Sequence, residues 1–354
     1  MKGLILAGGK GTRLRPLTYT SAKQLVPIAN KPVLFYAMET LATAGVRDIG
    51  VITGDTHAEI VAALGDGSRW DTRVTYIPQE APLGLAHAVL TAEPFIQDSP
   101  FVMFLGDNLV KDGIGDFVGE YQREKPTSLI LLSPVKHPEE FGNAEISEGR
   151  IVKLREKPKN PPTNLALVGV YLFDQTIFRA ARSLKPSARG ELEITEAIQK
   201  LIEDGENVRS HVITGWWKDT GKLEDVLEAN QMMLENLEPA LLGSISEDSA
   251  IAGKVRVEAG AQVISSTIRG PAVIGAGARL ENAYVGPFTA IGERVTITHS
   301  EVEYSIVLDG ASIVDLGARM ENSLIGRDAS VYKCNTRPRA VNLMIGDHSR
   351  VGIL

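Results

Sequence analysis

The apolar positions of this chain fall into two patterns of different period. From the N-terminus to about residue 237, short aliphatic runs alternate with amphipathic stretches. The runs Leu4–Ala7, Ile49–Thr53, Val74–Ile77, Val102–Leu105 and Ser128–Val135 predict strands, with helices expected at Val33–Ala44, His57–Leu64, Leu85–Ala92 and Ile114–Glu124. Beyond them, Ile151–Arg155, Ala166–Phe173 and Val208–Ile213 read as strands, and helices are expected near Ile194–Ile202 and Leu223–Leu237. Continuous apolar strands separated by helices indicate an α/β domain, residues 1–237, whose mostly parallel sheet is covered on both faces.

After Leu237 the pattern changes. Residues 238–249 read as a linker, and no helical pattern follows. Instead Val257, Ile274, Ile291, Leu308 and Ile325 recur at a step of 17 residues, and Val263, Leu280, Ile297, Val314 and Val331 repeat the same step. Ile268, Val285 and Val302 supply a third corner. Three short faces per coil, each with one inward aliphatic side chain, are the hexapeptide signature of a left-handed parallel β-helix. This second domain is expected over 250–354, ending in a C-terminal tail.

Composition narrows the possible functions. Of 354 residues, 44% are apolar and 23% charged, ordinary values for a chain with a sizeable core. A net charge of −7 disfavours a broad nucleic-acid-binding face but leaves room for small phosphorylated ligands held by a few local cations. The single cysteine, Cys334, excludes an internal disulfide or a cysteine metal cluster. No apolar run approaches the roughly 20 residues needed to span a bilayer, and the opening segment is a buried strand rather than a signal h-region. The expectation is a cytoplasmic protein with no membrane partner.

Candidate chemistry begins where the first strand ends, in Gly8-Gly9-Lys10-Gly11-Thr12-Arg13. A glycine turn at the carboxyl end of a parallel strand presents backbone N–H groups to a phosphate chain. Neither G-x-G-x-x-G nor the Walker pattern is satisfied, since Leu14 stands where a third glycine belongs and no Gly-Lys-Ser/Thr follows. The turn continues into Arg13-Leu14-Arg15-Pro16-Leu17-Thr18, Lys23 and Leu25-Val26-Pro27. Arg13 offers a fork of donors for a pyrophosphate, and Lys23 a point charge for a second phosphate. From Leu6 to Pro27 this stretch resembles the signature of the sugar-1-phosphate nucleotidylyltransferases. The resemblance implies a Rossmann-like nucleotidyltransferase sheet, with nucleotide bound by Leu6, Gly8, Gly9, Gly11 and Thr12.

Further motifs follow in chain order. Leu105-Gly106-Asp107-Asn108 ends another strand at the edge where open α/β sheets bind ligands. Asp219, in Trp217-Lys218-Asp219-Thr220-Gly221, is a second carboxylate after a strand. Two carboxylates brought together at a phosphate site suit Mg²⁺, and the resemblance implies that these aspartates hold it, with Asp107 also at the nucleotide. Gln79 with Pro82-Leu83-Gly84-Leu85-Ala86 resembles the family's base-binding loop. The glutamine amide matches the N3–H and O4 edge of thymine or uracil, and Gly84 is expected to let the base approach the backbone. Glu156-Lys157-Pro158 resembles the sugar-and-phosphate motif, with Glu156 accepting from sugar hydroxyls and Lys157 neutralising the sugar phosphate. Gly142 and Val168 match positions lining the sugar pocket. Arg189-Gly190-Glu191-Leu192-Glu193-Ile194-Thr195 resembles a segment of the thymidylyl branch, which implies Arg189 near the sugar phosphate. Phe141 departs from that branch, where short forms usually carry tyrosine.

The histidines, His57, His87, His137, His211, His299 and His348, show no metal-like spacing, and no nucleophile–histidine arrangement is visible. His87 reads as a packed helix residue, His299 as a surface residue, and Trp216-Trp217 as core beside Asp219. A sugar 1-phosphate is already an anionic nucleophile, so nucleotidyl transfer needs positioning and charge neutralisation rather than a general base. The whole chain is most similar to the long-form glucose-1-phosphate thymidylyltransferases. That implies dTTP and glucose 1-phosphate as substrates, dTDP-glucose and pyrophosphate as products, Arg13, Lys23 and Lys157 as catalytic residues, and a homo-oligomer. The alternatives are a UTP-dependent (N-acetyl)glucosamine-1-phosphate uridylyltransferase with an acetyltransferase coil, and a non-catalytic regulatory homologue. The unbroken 17-residue step leaves no room for the extruded loop of an acyl-transferring coil, and the retained charged residues argue against the regulatory reading.

Overall fold

A computed structural model describes residues 1–147 and 150–334. The C-terminal tail from residue 335, with His348, lies outside the described residues. Packing divides the chain into two units that interleave along the sequence. One comprises Met1–Lys10, Ser21–Leu25 and Val33–Asp219; the other comprises Gly11–Thr20, Val26–Pro32 and the chain from Thr220 onward.

The first unit is a nine-stranded sheet with helices on both faces. Strand Lys2–Leu6 is central and pairs in parallel with Asp48–Thr53 on one side and Phe101–Leu105 on the other, while Arg73–Pro78 extends the sheet beyond Asp48–Thr53. Side chains alternate between the two faces, as a pleated strand requires. Leu4 and Leu6 join Phe101 and Met103 in one core; Ile5 and Ala7 join Val51, Val102 and Phe104 in the other. Both faces are dry, which is why these strands are continuously apolar in the sequence. Beyond Phe101–Leu105 the sheet changes character. Leu165–Phe173 runs antiparallel to it and to Ser128–Pro134, and the hairpin Asn143–Ser147/Arg150–Arg155 closes that edge. Strand direction is set by how the connections cross, which periodicity does not encode. Helix Thr176–Ser183 and the short strands Asn108–Val110 and Trp217–Asp219 also went unread in the apolar pattern.

The second unit is the left-handed β-helix. Its three faces are sheets of six, six and five short strands, each pairing in parallel with the equivalent strand of the next coil. The interior is a stack of aliphatic side chains, among them Val257, Ile274, Ile291, Leu280 and Ile297, all fully buried. At about 1.5–3 kcal/mol per buried aliphatic side chain, this column stabilises coils that have few other tertiary contacts.

Two features correct the sequence reading. The stretch 238–249 already contains strands Ala240–Leu241 and Ser244–Ile245, which pair with Arg256–Val257 and Gln262–Val263, so the first coil begins inside the expected linker. The repeat also slips. Ile291 pairs with Val307 and Ile297 with Ile313, so Leu308 and Val314 are not the inward residues that the 17-residue step picks out. That coil is one residue short, between Val302 and Val307. The next is one residue long, with its extra residues at the corner between Ile313 and Met320, and pairing returns to Ile325 and Val331. A deficit and a surplus of equal size cancel in the spacing.

Helix Leu223–Leu234, read with the α/β domain, belongs to this second unit and packs on Thr289–Ile291. It helps cover a face on which Val273, Ala290 and Ile306 alternate away from the coil interior and are nonetheless buried. At one corner, Ser265, Asn282, His299 and Asp315 all adopt positive φ. His299 Nδ1 lies 3.2 Å from Asp315, and Nε2 lies 3.4 Å from Asn282. His299 is thus one rung of a corner ladder.

Candidate active site

The chain leaves the central strand toward Asp48–Thr53 and Arg73–Pro78, then crosses back to its other side at Phe101–Leu105. That reversal makes the carboxyl ends of Lys2–Leu6 and Phe101–Leu105 a topological switch point, the place where open α/β sheets bind ligands. The two ends are held in register, Leu6 opposite Leu105, and the Gly106 N–H donates to the Leu6 carbonyl at 3.0 Å. Gly8 and Gly9 therefore leave one strand beside Asp107, which leaves the other.

Lys23 reaches this point and forms an ion pair with the buried Asp107 carboxylate. Gly9 makes room for it, since a Cβ there would lie 2.9 Å from Lys23 Cε. Burial alone would raise the Asp107 carboxyl. The Lys23 ammonium and hydrogen bonds from Lys23 and Asn108 outweigh burial and hold the group below the usual carboxylate range. Asn108, itself buried, donates to Asp107 Oδ1 at 3.1 Å and accepts from Trp217 Nε1 at 2.5 Å. Strand Trp217–Asp219 pairs antiparallel with Asn108–Val110, placing Asp219 opposite Asn108. Asp219 thus lies on a strand paired with the one that Asp107 immediately precedes. Among the described residues no group of three or more His, Cys, Asp or Glu side chains is arranged to hold a metal. Two hard oxygen donors, one of them already anionic and buried, fit a Mg²⁺ completed by phosphates and water.

A second cluster forms around Glu156. Its Oε2 accepts from Thr195 Oγ1 at 2.5 Å and its Oε1 from Arg189 Nη2 at 3.3 Å. Gly142 lies against the same pair: a Cβ there would be 3.3 Å from Thr195 Oγ1 and 3.4 Å from Glu156 Oε2. The Lys157 N–H donates to the Phe141 carbonyl at 3.2 Å. The Phe141 ring meets Trp217 edge-on, with centroids 5.1 Å apart, so the residue that departs from the tyrosine pattern packs against the strand of Asp219. Tyr171 is buried in the core; burial and the Glu156 charge push its phenol well above the ordinary range, keeping it neutral.

Two expected residues occupy settings other than those read from sequence. Arg189 is ringed by carboxylates: Glu193 at 2.8 Å, Glu156 at 3.3 Å and Glu191 at 3.6 Å. Its guanidinium, still partly exposed, thereby helps to orient Glu156. Val168 is fully buried in the sheet core, beside the register shift between Leu167 and Tyr171.

Gln79 donates from Nε2 to His87 Nδ1 at 2.8 Å, and its Oε1 faces Gly8, 3.5 Å from where a Cβ would stand. His87 therefore orients the amide. Pro82 and Leu83 are exposed, and Gly84 has φ +104°. A Cβ on Gly84 would lie 2.4 Å from the Leu192 carbonyl oxygen, so the close approach that requires glycine is by the Leu192 backbone. Leu192 donates to Leu83 at 2.7 Å and accepts from Ala86 at 3.0 Å. The Gln79–Ala86 loop and the Arg189–Thr195 segment are thereby zipped together.

Gly11, Thr12 and Arg13 fall in the other unit. Gly11 adopts φ +62° and its carbonyl accepts from Leu14 N at 2.9 Å and Thr18 Oγ1 at 2.7 Å, leaving Thr12 and Arg13 exposed on a short 3₁₀ turn. Asn108, Trp217, His87 and Thr195 were not assigned site roles from sequence: Trp217 and Thr195 act on residues distant along the chain, and the side-chain orientations of Asn108 and His87 are not encoded in spacing.

A glycine turn and the Lys23–Asp107 ion pair thus meet at the switch point. The nucleotidyl transferase family model matches residues 2–236, and the chain belongs to that family. It is 53% identical to a glucose-1-phosphate thymidylyltransferase of Streptomyces griseus, covering 100% of this chain and 99% of the relative. It is 51% identical to the thymidylyltransferase of the same description from Streptomyces antibioticus, again covering 100% and 99%. A solved Bacillus anthracis structure described as a glucose-1-phosphate thymidylyltransferase in complex with sucrose is 36% identical, with a TM-score of 0.63. That match covers 68% of this chain and 98% of the other. The resemblance read from Leu6–Pro27 is borne out.

Proposed function

We propose that the protein transfers the thymidylyl group of dTTP to glucose 1-phosphate, giving dTDP-glucose and pyrophosphate. The observation that carries the reaction class is the Lys23–Asp107 pair at the switch point, with Asp219 on the adjacent strand. Full-length similarity to the Streptomyces enzymes supports the choice of substrates.

A sugar phosphate oxygen attacks the α-phosphorus in line; a P–O bond forms, and the bond to the oxygen bridging to the β-phosphorus breaks. The electron pair leaves with pyrophosphate, so no proton need be removed. Lys23 and Lys157 lower the repulsion between the approaching anions, and Arg13 takes up charge on the departing pyrophosphate. Gln79, its Nε2 held by His87, reads the pyrimidine edge. Glu156, held by Thr195 and Arg189, accepts from sugar hydroxyls. Asp107 and Asp219 are the residues that would hold Mg²⁺, which when bound neutralises charge on the triphosphate.

Pyrophosphate release, measured with Mg²⁺ over a grid of nucleoside triphosphates and sugar 1-phosphates, tests this reading. The expected result is a clear preference for dTTP with glucose 1-phosphate. Preference for UTP with an amino-sugar phosphate, or no release with any pair, overturns it.

A further inference from the structure

The β-helix unit includes more of the candidate nucleotide signature than a trailing domain would. Between Gly11 and Pro32, only Ser21–Leu25, the segment carrying Lys23, belongs to the sheet unit; the chain on both sides of it belongs to the β-helix unit. Upstream, Leu17 lies over the coil at Gly326, where a Cβ would stand 3.9 Å from Leu17 Cδ2. Downstream, the hairpin Pro27–Ile28/Lys31–Pro32 turns at Ala29-Asn30, both at positive φ. The Ala29 N–H donates to Asn230 Oδ1 at 2.9 Å, Asn230 Nδ2 donates to the Phe288 carbonyl at 3.1 Å, and Asn30 Nδ2 donates to the Ile291 carbonyl at 2.6 Å. Asn230 is buried, so both of its bonds are made away from water. A buried amide that satisfies two backbone groups from segments far apart in the chain costs stability to replace and fixes their relative position.

We infer that the β-helix is a positioning element for nucleotide binding, with Asn230 as its principal positioning residue: it clamps the hairpin that follows Lys23, while Leu17 seats the loop that carries Arg13. The inference rests on the roles proposed above for Lys23 and Arg13. Asn230 touches no substrate; it sets where the phosphate-binding segment begins and ends. Loss of the clamp is therefore felt by the triphosphate and by pyrophosphate, and not by the sugar phosphate.

The test compares the full-length enzyme with Asn230→Ala, Asn230→Asp and Asn30→Ala. Asp at 230 keeps the acceptor for Ala29 and loses the donor to Phe288. The expected result for Asn230→Ala is a rise of about tenfold in KM for dTTP, and for pyrophosphate in the reverse reaction, with KM for glucose 1-phosphate unchanged. A shift at least as large is expected in Asn230→Asp, whose buried carboxylate faces the Phe288 carbonyl, and a smaller shift of the same kind in Asn30→Ala. If Asn230→Ala does not fold, Asn30→Ala, which loses one hydrogen bond from a partly exposed side chain, decides the question by the same split. Equal shifts in all substrates, or no shift in a folded variant, overturn the inference. Lys23→Ala separates the two failures. If it leaves KM for dTTP untouched, the functional reading itself fails. If it raises that KM while the asparagine variants do not, only the role of the coil fails.

Discussion

The two units spend their polar side chains in opposite ways. In the sheet unit, charged and amide groups are drawn inward at one edge: Asp107, Asn108 and Glu193 are buried and each is held by named partners. In the β-helix unit the inner column is aliphatic, the buried polar side chains such as Ser266, Ser300, Ser305 and Asn230 are uncharged, and charges lie outside in pairs such as Arg319 with Glu301 and Arg279 with Glu281. A buried pair loses water on both partners and tolerates little displacement, whereas an exposed pair is solvated with or without its neighbour. The sheet edge is costly in stability and specific in geometry; the coil is stable by repetition, and its polar surface is replaceable.

Substitutions that strike each unit where it is most committed sharpen the contrast. The largest effect is expected for Asp219→Ala, a loss of about 10³-fold or more in turnover with an unchanged circular dichroism spectrum. Wild-type turnover in that variant would sink the assignment of Asp219. The matching change in the coil is Ile291→Ala, expected to lower unfolding free energy by about 2–5 kcal/mol because the neighbouring coils cannot close the cavity. Chemical denaturation measures it, and a loss below about 1 kcal/mol would mean that the coil repacks freely. Next comes Thr195→Ala, which frees one Glu156 oxygen and is expected to raise KM for glucose 1-phosphate about five- to tenfold, with Thr195→Ser restoring it.

The Asp107–Lys23 pair also predicts a pH signature. The folded-state pKa of Asp107 lies below its unfolded value. The stability this contributes is complete above the unfolded value of about 4 and is lost as pH falls through the lower folded value. In metal-free protein, Asp107→Asn is expected to be less stable at neutral pH and to show a flatter acid limb; an acid limb identical to that of the parent would remove the pair from the account. The smallest effect is expected for Arg319→Ala on the coil surface, where no shift in melting midpoint is anticipated by calorimetry.

Much of this molecule was legible in its residue pattern. Strands buried on both faces announce themselves as unbroken aliphatic runs, and the helices between them ended within a few residues of expectation. The coil was legible for a different reason: each turn must offer one inward side chain per face, so its period is written directly into spacing. Legibility failed where two errors cancel, as at Val307 and Ile313, since a short coil followed by a long one restores the count. Nor does spacing show that Gly84 abuts the Leu192 backbone or that Arg189 pairs with Glu193 and Glu156.

The class of each domain and the family were readable from the chain alone, because periodicity and short motifs are local properties. How the candidate site residues are held emerged from the fold. Thr195 on Glu156, Trp217 on Asn108, His87 on Gln79 and Asn230 on Ala29 are contacts between segments up to 201 residues apart. The assignment of residues 11–20 and 26–32 to the β-helix unit is of the same kind. Such contacts depend on which surfaces remain unburied after each element has formed, and that is settled by packing of the whole chain rather than by any stretch of it.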